Sequence, residues 1–298
     1  MFAPDGQCGS TLMSEPSNTV ESSERKPSLT DKVIKEAREW ATTLAIFIPI
    51  FYLFSLFLYE QRVIPSESMV PNLQVGDRVA VNKFAYGYSR YSLPWGAWRI
   101  VPGGEGRIFA SEPERGDVIV FMHPHTSRVM IKRLIGLPGD RVQMINEQLY
   151  LNGEPIKRDF VQRVTYREHS QGRRETAREY RETMGDKSWL THQWQSGSRL
   201  DDTVAFEVPE GYFLFMGDNR DNSEDGRSET GHCPRSPGGV IDKGGCDPRP
   251  GVSDEDASVG FVPFENLIGR AETVLFSTYS CSRAQADPCM KARVWKGL

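Results

Sequence analysis

From Trp40 to Tyr59 the chain runs WATTLAIFIPIFYLFSLFLY without a charged residue, about the length that spans a hydrocarbon core. Thr30-Asp31 offers a cap, and the charged stretch Lys32 to Glu39 leads into the run. The pattern predicts a transmembrane helix over 40–59, kinked but tolerated at Pro49. A buried core helix and a cleaved signal peptide compete with it. Against cleavage, about forty polar residues precede the run, no small-x-small site follows, and Glu60-Gln61-Arg62 come directly after. Residues 1 to about 28 are rich in Ser, Pro, Gly, Glu and Thr, too polar to offset the entropy of ordering, so 1–39 reads as a largely disordered tail. Arg25, Lys26, Lys32, Lys35 and Arg38 precede the run, whereas Arg62 and Arg78 alone occur just beyond it. The positive-inside rule therefore puts the N-terminus in the cytoplasm and the remainder outside.

After residue 60 the period shortens to that of strands. Val79-Ala80-Val81, Val118 to Phe121, Val129-Met130-Ile131, Val204 to Val208, Tyr212 to Phe215 and Thr273 to Phe276 are short β-rich runs separated by Gly, Pro and Asp. The fold class is mainly β, an antiparallel sheet domain preceded by one transmembrane helix. Leu137-Pro138-Gly139-Asp140 fits a type II turn, and Asn152-Gly153 signals a hairpin. Lys157 to Asp202 is polar, a surface elaboration or the outer part of a second, smaller β-rich lobe. In the segment Ser89 to Phe109, Trp95, Trp98, Ile100 and Phe109 suit either a lipid interface or a small aromatic core.

At 298 residues and a net charge of -4, the chain holds one large or two modest domains and gives no reason to expect nucleic acid as a partner. The five cysteines, Cys8, Cys233, Cys246, Cys281 and Cys289, include no C-x-x-C pair, which argues against a zinc ribbon or a redox pair. His123-Pro124-His125 reads as an exposed turn rather than half of a metal site.

Three stretches carry candidate chemistry. In Ile64-Pro65-Ser66-Glu67-Ser68-Met69-Val70-Pro71-Asn72-Leu73, prolines stiffen a segment presenting two hydroxyls two residues apart, which suits a nucleophile; on these residues alone an ordinary Ser/Pro turn stays open. Lys132 lies among apolar neighbours in Val129 to Leu137. Desolvation there would favour its neutral form and make it a base, while an edge lysine facing water is the alternative. In Gly217 to Arg227, Asp221-x-Ser223-x-Asp225-Gly226 copies the start of a calcium loop, but His232 stands where the closing Glu belongs and no helices flank it.

Together these stretches resemble the bacterial type I signal peptidases, membrane-anchored serine proteases that remove signal peptides from exported proteins. The resemblance rests on six blocks in order: I-P-S-E-S-M-V-P-N-L, G-D-R-V-A-V-N-K-F-A-Y-G, R-G-D-V-I-V-F, I-K-R-L-I-G-L-P-G-D, G-D-N-R-D-N-S-E-D-G-R and F-V-P-F-E-N-L-I-G-R-A. It implies Ser68 as nucleophile and Lys132 as general base. The Ser66 hydroxyl with the Ser68 backbone N–H would form the oxyanion hole, and Ser223 would orient the lysine. Arg133, Asp218, Asp225 and Arg227 would form supporting ion pairs. Shallow pockets for small residues before the cut would have walls from Ile64, Pro65, Met69, Leu73 and Ile131, with the extended substrate adding to the strand that holds Ile131.

The implied layout is a catalytic core over about 60–145 and 210–280, a lobe inserted at about 146–209, and an insertion at about 228–258. The implied partners are preprotein signal peptides, the lipid bilayer of a bacterial inner membrane, and the export machinery; no cofactor and no metal are implied. Outside the cytoplasm, an oxidising compartment and short separations favour pairing Cys233 with Cys246 and Cys281 with Cys289. Two departures stand out: Glu67 where many members have glycine, and the Gly/Pro-rich insertion itself. A specialised Ser/Lys peptidase acting on one class of precursor shares the dyad, and an inert membrane-tethered scaffold shares the fold.

Overall fold

The computed structural model describes residues 29–93, 106–126, 128–167, 174–198, 200–227, 231–232, 247–248, 259–277 and 293–298. Helix α1, Leu29–Phe57, takes in both the charged lead and the apolar run. Within it, Lys32–Phe54 is long and apolar enough to cross a membrane, with none of its side chains buried. The helix ends two residues before the expected limit because Tyr59 opens a strand, β1 (Tyr59–Val63), whose backbone pairs with β2 (Asp77–Asn82).

The rest of the chain is mainly antiparallel β. After β2 come β3 (Val118–Met122), β4 (Val129–Gly136), β5 (Arg141–Ile145), β6 (Gln148–Leu151), β7 (Glu154–Pro155), β8 (Lys157–Arg167), β9 (Arg174–Met184) and β10 (Lys187–Gln193). They are followed by β11 (Phe206–Glu207), β12 (Tyr212–Met216), β13 (Gly231–His232), β14 (Asp247–Pro248), β15 (Phe261–Pro263), β16 (Leu267–Ser277) and β17 (Val294–Gly297). The main sheet runs β1-β2-β16-β3-β4-β12-β15, with β17 added on β16. β2 alternates buried and half-buried residues, whereas every residue of β3 is buried. One-sided and two-sided packing explain those patterns.

Three apolar clusters hold the sheets. Ile64, Met69 and Leu73 join Val79, Val81, Val118, Val120 and Ile131 in the first. Leu214 and Met216 pack with Ile135, Val142 and Trp189 in the second, and Phe121 with Phe215 in the third.

The turn chemistry follows the residues. Asp140 N–H donates to the Leu137 carbonyl at 3.0 Å and Gly139 has φ +84°, which closes the Pro-Gly turn. Asn152 and Gly153 both adopt positive φ between β6 and β7. The polar segment after residue 157 forms a three-stranded sheet, β10-β9-β8. Its charge is not all solvated. Glu182 is buried against Arg220 and beside Arg158, at 3.9 Å from Nε of the latter.

His123 corrects the reading of an exposed turn. The His123 N–H donates to the Arg128 carbonyl at 2.9 Å, closing the β3–β4 connection with the ring tucked in and its Nδ1 accepting the His125 N–H. Ile108 and Phe109 are exposed, and Trp95, Trp98 and Ile100 lie outside the described residues. All five cysteines also lie outside them, with both expected pairs.

Candidate active site

The segment from Ile64 to Asp77 is a closed loop. Ile64 N–H donates to the Asp77 carbonyl and Gly76 N–H to the Ile64 carbonyl, both at 2.9 Å. Ile64, Met69, Val70 and Leu73 turn into the core and fix the loop by burial. Short-range bonds, Val70 N–H to Glu67 O and Leu73 N–H to Met69 O, coil the chain just after Ser68. Ser66 is left exposed and Ser68 buried, with their hydroxyl oxygens 3.3 Å apart.

Lys132 reaches this loop from β4, where it pairs with Ile119 of the fully buried β3. Its Nζ lies 2.7 Å from Ser68 Oγ, and the two residues are 4% and 6% exposed. Burial lowers the amine's pKa from 10.5 to about 8; Asp225, Glu224 and Asp218 pull the other way, and Arg128 adds to the lowering. An edge lysine facing water is therefore not what the fold builds. At neutral pH an amine poised so close to its neutral form can exchange a proton with the hydroxyl it touches.

Two buried ion pairs flank the amine. Arg133 donates to Asp218 through Nε at 2.7 Å and Nη2 at 2.8 Å, to the Gly116 carbonyl through Nη1, and stacks over Trp189. Arg227 grips Asp225 through Nε and Nη2, both at 2.9 Å, and Asp225 also accepts the Gly217 N–H at 2.8 Å. Burial alone would raise the Asp225 pKa, but Arg227 and the two backbone donors hold it below the usual carboxylate range. Asp221 accepts the Trp194 N–H at 2.6 Å and Gln193 Nε2 at 3.0 Å, so both carboxylates that mimic a calcium loop are taken up by protein donors. Among the described residues no cluster of His, Cys, Asp and Glu is placed to hold a metal.

Ser223 stands apart from the expectation. Its hydroxyl is buried and has no hydrogen-bond partner among the described residues, so no bond joins it to Lys132. It crowds Gly217: a Cβ there would fall 2.1 Å from Ser223 Oγ and 2.6 Å from the Ser68 carbonyl.

A cleft of about 430 Å³ opens beside the pair, lined by Pro65 to Ser68, Val75, Arg128 to Lys132, Asn222 and Glu224. Of the five expected pocket residues, Pro65 and Ile131 line this cleft, whereas Ile64, Met69 and Leu73 are packed in the first core cluster and do not. Their apolar side chains are what hold the loop down, which turns them away from the opening. β4 pairs with β3 along Val129 to Arg133 but with β12 only from Arg133 onward. One edge of residues 129–132 is thus without a strand among the described residues, and it borders the cleft.

Residues that the sequence reading did not single out complete the site. Asn219 donates its N–H to the Ser68 carbonyl at 3.1 Å and its Nδ2 to the Glu67 carbonyl at 3.3 Å. Asn72 Nδ2 lies 2.7 Å from both Asp218 Oδ2 and the Leu190 carbonyl. Both asparagines sit inside the quoted blocks, but only side-chain directions distinguish them from surface amides.

The family model described as "Signal peptidase, peptidase S26" matches residues 37–276. A signal peptidase I of Rickettsia canadensis is 34% identical over 250 residues, covering 81% of this chain and 80% of its own. One from Rickettsia massiliae is 34% identical over 259 residues, covering 84% and 83%. A crystal structure of a signal peptidase I from Enterococcus faecalis V583 covers 54% of this chain and 97% of its own at 24% identity, with a TM-score of 0.28, too low to bear on the site.

Proposed function

This chain belongs to the signal peptidase family, peptidase S26, and on that premise we propose that it is a membrane-anchored endopeptidase that cuts signal peptides from exported preproteins with Ser68 as nucleophile and Lys132 as general base. The observation that carries the reading is the 2.7 Å approach of a buried amine to a buried hydroxyl. A serine hydroxyl is a weak nucleophile until an adjacent base accepts its proton. Neutral Lys132 takes that proton as Oγ attacks the scissile carbonyl. The resulting ammonium then returns it to the departing amine, leaving an acyl group on Ser68 and a free new N-terminus. A water deprotonated by the same amine releases the acyl group.

The negative charge on the tetrahedral oxygen is met by the Ser66 hydroxyl and the Ser68 N–H. Donors so placed act on charge that exists only at the transition state. An extended substrate pairs with the free edge of residues 129–132, and Pro65 and Ile131 restrict the side chains before the cut to small ones. Ser223, buried with no hydrogen-bond partner among the described residues, is the hydroxyl that orients the amine.

The apolar part of α1 is the anchor, with the basic residues ahead of it in the cytoplasm. Ser68 follows the end of that helix by eleven residues (68 − 57). This tether holds the nucleophile near the level at which a membrane-bound signal peptide presents its cleavage site.

The test compares wild type, Ser68→Ala and Lys132→Ala in detergent on several unrelated preproteins with Ala-x-Ala sites. Cleavage of all of them by wild type alone is expected. Equal turnover in the three proteins would end the dyad assignment, and cleavage of one preprotein only would mark a specialist.

A further inference from the structure

Arg293 lies just before β17, which adds to the main sheet against Thr273 to Phe276 of β16. Its guanidinium does not point to solvent. The side chain is 9% exposed, forms an ion pair at 3.0 Å from Nη1 to Asp77 Oδ2, and donates from Nη2 to the backbone carbonyl of Asn72. Asp77 is fully buried and also accepts the Gln74 N–H at 2.9 Å. One side chain from the end of the chain thus bridges two points of the loop that carries Ser66 and Ser68.

We infer that Arg293 is a positioning residue for the reaction, a clasp by which the C-terminal strand holds the nucleophile loop against the elements that carry its base. Resting on Ser68 as nucleophile and Lys132 as base, the inference follows the contacts outward from Asn72. The carbonyl of Asn72 takes Arg293, while its side-chain amide reaches Asp218 and the Leu190 carbonyl of β10. Asp218 in turn holds Arg133, the neighbour of Lys132. Asn72 is therefore the joint between the loop of the nucleophile and the brace of the base, and Arg293 holds that joint by its backbone carbonyl.

The physical need is plain. The loop has its own closure at Ile64, Gly76 and Asp77, but Asn72 lies away from that closure, where a backbone carbonyl without a donor would be free to shift. Misplacing reacting groups by about 1 Å can cost about 10²-fold in rate. A planar, permanently charged fork sets one nitrogen beside a carboxylate while another donates to a carbonyl, which a lysine cannot do with the same geometry.

The experiment uses the full chain in detergent, with preprotein cleavage followed for wild type, Arg293→Lys, Arg293→Ala, Thr273→Val and Ser68→Ala, alongside thermal unfolding of each. Arg293→Lys keeps a cation against Asp77. It should stay folded and lose about fivefold or more in kcat, with KM within about twofold, and Arg293→Ala should lose more. Thr273→Val removes the 3.0 Å bond from Thr273 Oγ1 to the Lys296 carbonyl, weakening the same strand without touching the clasp, and should keep wild-type turnover. The inference is overturned if Arg293→Lys turns over like wild type, if losses track only the unfolded fraction, or if Thr273→Val loses as much. Cleavage by Ser68→Ala would instead defeat the proposed function, which separates the two failures.

Discussion

Lys132 Nζ and Ser68 Oγ, 64 residues apart in the chain, meet at 2.7 Å in a setting where both residues are buried. With the amine's pKa lowered to about 8 by burial, the neutral, proton-accepting form grows as pH rises through that value. The rate kcat/KM on a preprotein should therefore climb through a limb centred near pH 8, measured between pH 6 and 10. A limb near 10.5 would mean that the amine is solvated in the working enzyme.

The same burial weakens the fold below that limb. An unfolded chain keeps the lysine proton up to about 10.5, whereas the folded site releases it at about 8, so the folded state binds fewer protons in that window and stability rises with pH across it. Lys132→Met should be inactive yet more stable than wild type at pH 7, by up to about 3 kcal/mol at 1.36 kcal/mol per pKa unit. Denaturant titrations at pH 7, 8.5 and 10 should show that advantage shrinking as pH rises.

Gly217 is a packing requirement of the site. A methyl at this position would sit 2.1 Å from Ser223 Oγ and 2.6 Å from the Ser68 carbonyl, so the nucleophile's own backbone has to give way. Gly217→Ala should cut kcat by about 10²-fold, the scale on which a small misplacement of reacting atoms is felt. Ser223→Ala in the same background removes only the 2.1 Å contact, leaving the Ser223 Cβ at 2.4 Å and the Ser68 carbonyl at 2.6 Å, and should restore little of the rate.

Asp225 is buried with Arg227 as its bidentate partner. Asp225→Ala leaves that guanidinium buried and unpaired, and unfolding in urea should show a loss of about 3–5 kcal/mol. Replacing both by apolar residues, Asp225→Leu with Arg227→Met, should recover part of it, because the lone charge is then gone.

Ser66→Ala tests the oxyanion donor separately from the base. With the hydroxyl 3.3 Å from Ser68 Oγ and exposed to the cleft, its loss should lower kcat by about 10²–10³-fold while leaving KM nearly unchanged. A matching rise in KM would assign Ser66 to substrate binding.

How much of this was legible without coordinates depends on the kind of pattern. The apolar run of α1, the strand character of Val118 to Phe121, and the turns at Pro138-Gly139 and Asn152-Gly153 are local: residue type and period suffice to specify them. Ser68 and Lys132 were visible as members of ordered blocks. The polar stretch after residue 157 concealed buried charges, because a glutamate such as Glu182 reads as surface until Arg220 is found against it.

What the amino-acid order determined by itself was the list of parts: one apolar helix, a β-rich remainder, a stiff serine segment and a lysine among apolar neighbours. Only the tertiary structure decided which side of each part faces which. Ile64, Met69 and Leu73 went to the core instead of the cleft, Ser223 made no bond to the amine, and Arg293 came back from the far end of the chain to hold Asn72. The reason is that burial and hydrogen-bond satisfaction are set by partners distant in sequence, and a side chain's neighbours along the chain do not record them.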